Sequence, residues 1–99
     1  MSQFKVSLEA EEDVFQIWRH LFREAGATIA NRVENEILAE FAVLANTPGK
    51  GHRRTDLTKH DVLFCALYQY MIVYRREPVE VLAVLHGMRN MKRLLKKRL

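Results

Sequence analysis

Apolar residues alternate with polar ones near the N-terminus, recur every three or four positions through the first half, and return to strand-like runs in the second half. Phe4, Val6 and Leu8 alternate with polar neighbours and predict a short strand with one buried face. Ala10, Val14, Ile17, Leu21 and Ala25 then fall at helical spacing, and Trp18 and Phe22 beside them read first as core. Glu9, Glu11, Glu12 and Asp13 crowd the start of this helix, where the backbone dipole favours negative charge. Ser7 is the expected N-cap, and Gly26 the left-handed C-cap. Thr28 can cap a second helix, whose stripe is Ala30, Val33, Ile37, Phe41 and Leu44 and which stops at Asn46, Thr47 and Pro48. Two helices joined by so short a turn should pack as an antiparallel hairpin.

Asn46 to Asp61 is polar and basic, and Pro48, Gly49 and Gly51 predict irregular backbone at its start. Three strand-like runs follow, VLFCAL from Val62, YMIVYR from Tyr70 and VEVLAVLH from Val79, with turns at Tyr68–Gln69 and Glu77–Pro78 that make them a meander. Tyr70, Ile72 and Tyr74 share one face, while Met71, Val73 and Arg75 share the other. The last run is apolar on both faces over its middle, so it belongs in the centre of a sheet covered by the hairpin on one side and by something else on the other. RNMKRLLKKRL closes the chain with a narrow stripe of Met91, Leu94, Leu95 and Leu99, and six of its eleven residues are basic. The expected architecture is a single α+β domain over residues 1–99, with an N-terminal strand and two-helix hairpin packed on an antiparallel sheet and a short basic C-terminal helix.

Charge sharpens this picture when it is divided by position. Residues 1–49 carry four Lys or Arg against eight Asp or Glu, and residues 50–99 carry twelve against four, so a net −4 half precedes a net +8 half. The basic half is expected to face a nucleic acid, a ribosome, a nucleic-acid enzyme or an acidic protein. Cys65 is the only cysteine and has no intramolecular disulfide partner; within an apolar strand it reads as an inert buried thiol. No basic n-region with an apolar stretch opens the chain, and no apolar run approaches the roughly 18 residues that cross a bilayer. A cytoplasmic protein with no membrane association is the expectation.

Several chemistries are pruned by what the chain lacks. Its serines are Ser2 and Ser7, both at the N-terminal strand, which leaves no nucleophile elbow. Gly26, Gly49, Gly51 and Gly87 never take phosphate-loop spacing. His52 and His60 share a loop with Asp56 and Asp61, but without the spacing of a metal site, and neither metal nor cofactor is expected. A metal-free ribonuclease could still use His86 as acid or base, with Arg53, Arg54 and Arg75 holding the scissile phosphate. Against that, a lone histidine at a strand end is commonly structural, and loop arginines are commonly just solvated.

The segments SLEAEEDVFQIW, ANRVENEILAEFAVLANTPGKG, YQYMIVYR and VEVLAVLHGMRNMKRLL, in this order, resemble the ParE branch of the RelE/ParE toxins of bacterial type II toxin–antitoxin pairs. The resemblance runs from about Phe4 to Leu95, most specifically at Pro48-Gly49-x-Gly51, Ile72-x-Tyr74-Arg75 and Val84-Leu85-His86-Gly87 with Arg89. It implies a cognate acidic antitoxin that folds on binding, in a hetero-oligomer, against an apolar groove of hairpin and sheet that includes Trp18, Phe22, Tyr70 and Tyr74. It also implies a target, either DNA gyrase, poisoned by binding without catalysis, or, in RelE-like members, messenger RNA cut on the ribosome. Arg89, Lys92 and Arg93 of the tail, with Arg53 and Arg54, are the expected target contacts. The ribonuclease alternative would place His86, Arg53, Arg54 and Arg75 in one site, but no aromatic residue follows Tyr74 to stack on a base. Ala83 departs from the family pattern, in which a basic residue often faces outward on the last strand. A third possibility is a passive nucleic-acid-binding module with salt-steep affinity.

Overall fold

The structure is a computed structural model and describes residues 3–87 and 90–99. Strand β1 (Phe4–Val6) leads into helices α1 (Leu8–Ala25) and α2 (Ala27–Asn46), then a short 3-10 turn at Pro48–Lys50. After the long loop come β2 (Leu63–Leu67), β3 (Tyr70–Arg75), β4 (Val79–His86) and helix α3 (Met91–Arg98). The sheet order is β1-β4-β3-β2. The three later strands are antiparallel as expected, whereas β1 joins the β4 edge in parallel, pairing Phe4 with Val79 and Val6 with Val81. The sheet is therefore mixed: the helical hairpin and the long loop carry the chain from β1 at one edge to β2 at the other, and two antiparallel reversals bring β4 back alongside β1 in the same direction.

Ser7 caps α1 as its composition suggested, its side chain accepting from the Ala10 N–H at 3.0 Å. Gly26, at φ +90°, ends α1 and begins α2, since its N–H donates to the Phe22 carbonyl and its own carbonyl accepts from Ala30. Thr28 therefore lies inside the first turn of α2 instead of capping it, because a one-residue connection leaves no room for a separate cap. All five stripe residues of α2 are buried, Ala30, Ile37, Phe41 and Leu44 fully so, and the last four of the stripe join the core on the sheet.

Two cores lie on opposite faces of the sheet. The hairpin side holds Val14, Ile37, Phe41, Leu44, Ile72, Tyr74, Val81 and Val84 among others. The second side is covered by α3, which buries Met91 and Leu95 on Phe64, Val73, Ala83 and Leu85. Ala83 is fully buried there, so no side chain at that position faces outward. The faces of β4 change phase at a bulge: Val73 opposes Ala83 but Tyr74 opposes Val81, leaving Leu82 as the extra residue.

β1 ends at Val6, but β4 runs on, and backbone groups beyond the end of β1 need other partners. The Leu82 carbonyl accepts from Ser7 Oγ at 3.3 Å and from Arg98 Nη1 at 3.2 Å. The Val84 N–H donates to Asp13 Oδ2 at 3.0 Å, and Asp13 also takes a two-pronged ion pair from Arg98 at 2.6 and 3.1 Å. One carboxylate thus joins α1, β4 and the far end of α3.

Tyr74 explains the Pro-Gly-x-Gly stretch. Its side chain is fully buried, its hydroxyl donates to the Pro48 carbonyl at 2.7 Å and accepts the Gly51 N–H at 2.9 Å. A Cβ on Gly51 would stand 2.7 Å from that hydroxyl and 2.9 Å from the Phe64 carbonyl oxygen, so only glycine fits. Tyr74→Phe strands a carbonyl and an N–H, and should lower unfolding free energy by about 1–3 kcal/mol. Gly51→Ala must also displace backbone and should cost more, both read as shifts of the urea midpoint at unchanged m-value.

Candidate functional site

On α1, Phe15, Trp18 and Phe22 sit at i, i+3 and i+7 and point away from the sheet. Their rings form a continuous stack: Phe15 and Trp18 are 6.5 Å apart and 8° from parallel, Trp18 and Phe22 5.0 Å and 24°. Phe15 and Phe22 are about half exposed, at 49% and 47%, so Phe22 is a surface residue and not core. Trp18 is half-buried, and its indole N–H donates to Asn31 Oδ1 at 2.8 Å, which fixes the ring against α2. The Arg19 guanidinium lies over the Phe15 ring at 5.8 Å. Among the described residues nothing covers this ladder, which is the kind of apolar patch that marks a protein contact.

Tyr70 and His86 meet edge to face at 5.9 Å where β3 and β4 pair, and they line a groove with Gln16, Ile17, His20 and Arg23 of α1. Tyr70 is buried, and desolvation pushes its phenol pKa up. Tyr74 is no part of any surface. It was expected to meet a partner, but it is sealed in the core with its hydroxyl consumed by the loop.

The residues of the ribonuclease alternative are not brought together. His86 pairs with Tyr70 at one end of β3, whereas Arg75 lies at the other end, opposite Glu80. Five residue steps at about 3.3 Å each separate those ends by roughly 17 Å. Arg53 and Arg54 follow His52, which pairs with Phe64 on the outer edge of β2, so β3 stands between them and β4. Both arginines are also engaged: Arg53 with Asp61, and Arg54 with both oxygens of Asp56 at 3.0 and 2.8 Å. That bond draws the Asp56 carboxyl below its ordinary range. As target contacts these two are partly neutralised within their own loop.

Lys92 and Arg93 are exposed on α3, whose N-cap Asn90 accepts the Arg93 N–H at 3.3 Å. Arg89, the third tail residue expected at the target, lies outside the described residues. Lys92 and Arg93 border a cleft of about 530 Å³ between α3 and the loop, with Leu57, Thr58, Lys59, His60, Asn90, Leu95 and Lys96 completing its walls. Lys59, Lys96 and the stacking residue Phe15 carry no signal that the sequence reading used, although Phe15 shares its helical spacing with Trp18 and Phe22, and His60, weighed there only as a metal ligand, lines the cleft instead. Among the described residues no cluster of His, Cys, Asp or Glu could hold a metal, and no helix is long and apolar enough to cross a membrane.

The folded chain is thus a small α+β domain with an uncovered aromatic face and a basic tail. The profile of the ParE toxin of type II toxin–antitoxin systems (parDE) matches residues 4–91, and the chain belongs to this family. Among solved structures it is similar to a chain from the "Chromosomal ParDE TA system from P. aeruginosa", with a TM-score of 0.74 and 18% identity over 87% of this chain and 96% of that one. At that identity the likeness concerns the fold. A comparison with curated proteins finds no significant match.

Cys65 lies against Glu40, its thiol donating to Glu40 Oε2 at 3.3 Å beside the Lys50–Glu40 ion pair. Burial first, and the Glu40 carboxylate second, push the thiol from an ordinary 9.0 up to about 11. Between those values the unfolded chain has lost a proton that the native chain keeps, so stability falls as pH rises. The measured unfolding free energy should decline from pH 9 to 11, and Cys65→Ala should make that decline shallower without removing it, because Tyr68, Tyr70 and Tyr74 are also shifted up.

Proposed function

We propose that this toxin arrests growth by binding DNA gyrase through its basic tail, without catalysis of its own, and that a cognate antitoxin silences it by lying on the aromatic face of α1. Family membership supports a toxin with an antitoxin partner. The observation that carries the choice of mode is the dispersal of His86, Arg53, Arg54 and Arg75, while Lys92 and Arg93 stand together on a helix anchored to the sheet. A helix fixed by its own core presents charge to a large partner at small entropic cost. The exposed Phe15–Trp18–Phe22 stack suits the apolar side of an amphipathic antitoxin helix, and the acidic residues of such a segment would find the basic half of the toxin nearby.

A supercoiling assay with purified toxin tests the target. Wild type should inhibit gyrase, and Lys92→Glu with Arg93→Glu should lose at least tenfold in potency with the fold retained by circular dichroism, as about 1.4 kcal/mol or more of lost contact implies. Normal supercoiling in the presence of wild type, or ribosome-dependent cleavage of messenger RNA that His86→Gln abolishes, would replace gyrase by the ribosome. Trp18→Ala with Phe22→Ala should weaken antitoxin binding by about 2–4 kcal/mol in titration calorimetry. Unchanged affinity would move the antitoxin to another face.

A further inference from the structure

Eight of the sixteen Lys and Arg side chains fall into two contrasting groups. Lys50, Arg53, Arg54 and Arg98 are each held by a carboxylate, respectively Glu40, Asp61, Asp56 and Asp13. Lys59, Lys92, Arg93 and Lys96 line the cleft between the loop and α3, and none of them makes an ion pair among the described residues. Among the described residues no acidic side chain lines that cleft. Asp56, whose charge reaches Lys92, is already bonded by Arg54.

Both walls are built. The loop wall is turned by the Leu57 and Thr58 N–H groups donating to the Arg54 carbonyl, and is held by His60 N–H on Thr58 Oγ1 at 3.2 Å. Leu57 packs on the same apolar cluster as Met91 and Leu95, so loop and helix share a floor. Lys92 and Lys96 are one turn apart and project from the same side of α3. Four positive charges concentrated at a concave site create a field that draws in a polyanion.

We infer that this cleft is a binding site for the phosphodiester backbone of duplex DNA. Among the described residues that line it, three of the four permanent cations are lysines, which meet phosphate as point charges, while the planar fork that pairs two-pronged with carboxylate is represented once, by Arg93. Among the described residues no Phe, Tyr or Trp lines it, and lysines on both walls outnumber the groups that could stack on a base, His60 and Arg93, so contact with a paired strand through its backbone is what the lining suits. The inference deepens the gyrase reading, since a toxin acting on that enzyme meets duplex DNA, and it can fail separately from it.

The test is fluorescence anisotropy of the intact chain with a short mixed-sequence DNA duplex, between about 50 and 200 mM salt. Four neutralised phosphates give a log–log salt slope of about −3.6, at roughly −0.9 each. Lys92→Ala and Lys59→Ala, on different elements, should each flatten the slope by about 0.9, while Lys5→Ala on β1 should leave it unchanged. Lys92→Glu with Lys96→Glu should abolish binding. Absence of duplex binding at the lowest salt, binding indifferent to these variants, or displacement of the duplex by a poly-aspartate peptide at equal charge concentration would each overturn the site; the last would assign it to an acidic protein. Duplex binding without any effect on supercoiling would uphold the cleft and end the gyrase reading. Gyrase inhibition without duplex binding would do the reverse.

Discussion

The Asp13 carboxylate occupies the place where the parallel pairing of β1 runs out and the longer β4 continues. It receives the Val84 N–H and the Arg98 guanidinium together, and Arg98 and Ser7 take up the Leu82 carbonyl at the bulge. Unmet backbone groups at a partly buried edge are costly, so these bonds matter less as attraction than as the removal of a penalty. They also explain how α3 exists. Eight residues are too few for a stable helix in water, where even good sequences need about 12–15. Burial of Met91 and Leu95 at one end and the ion pair of Arg98 at the other hold it in place.

This arrangement gives the basic tail two kinds of charge. Arg98 belongs to the fold: it is only 22% exposed and faces carboxylates on α1. Lys92, Arg93 and Lys96 lie on the outward side of the same helix and have no such duty. The same partition recurs in the loop, where Arg53 and Arg54 are engaged by near neighbours but Lys59 is not. Net charge by half therefore overstates how much of the positive surface is available to a partner, and position on the fold decides which cations count.

Periodicity made most of the architecture legible. The stripe of α2, the alternation of β3 and the Ser7 cap are local patterns, and local patterns survive folding when burial agrees with them. The parallel placement of β1 was not legible, because strand direction depends on where a distant partner lies and leaves no mark in a three-residue strand. A place beside the stripe predicts core for Phe22; the stripe of α1 is narrow, since only one side of the helix meets β4 and α2, and the aromatic residues fall just outside it. Tyr74 misled in the opposite sense, for a phenol in an alternating strand gives no hint that a glycine-rich loop will cover it. Asp13 did carry a signal: it lies between Ala10 and Ile17 on the buried side of α1, and a carboxylate within an apolar stripe calls for a partner elsewhere in the chain.

Trp18 is the only tryptophan. It sits between two phenylalanines on the uncovered face, half-buried and bonded through its indole N–H to Asn31. Its helix packs on the opposite face of the sheet from α3, and among the described residues the cleft between α3 and the loop is lined by no Phe, Tyr or Trp. The protein is thereby equipped with an intrinsic optical reporter of one surface. Near-ultraviolet emission of the unlabelled chain responds to whatever covers α1 and is blind to what enters the basic cleft, so the two faces can be followed independently in a single mixture.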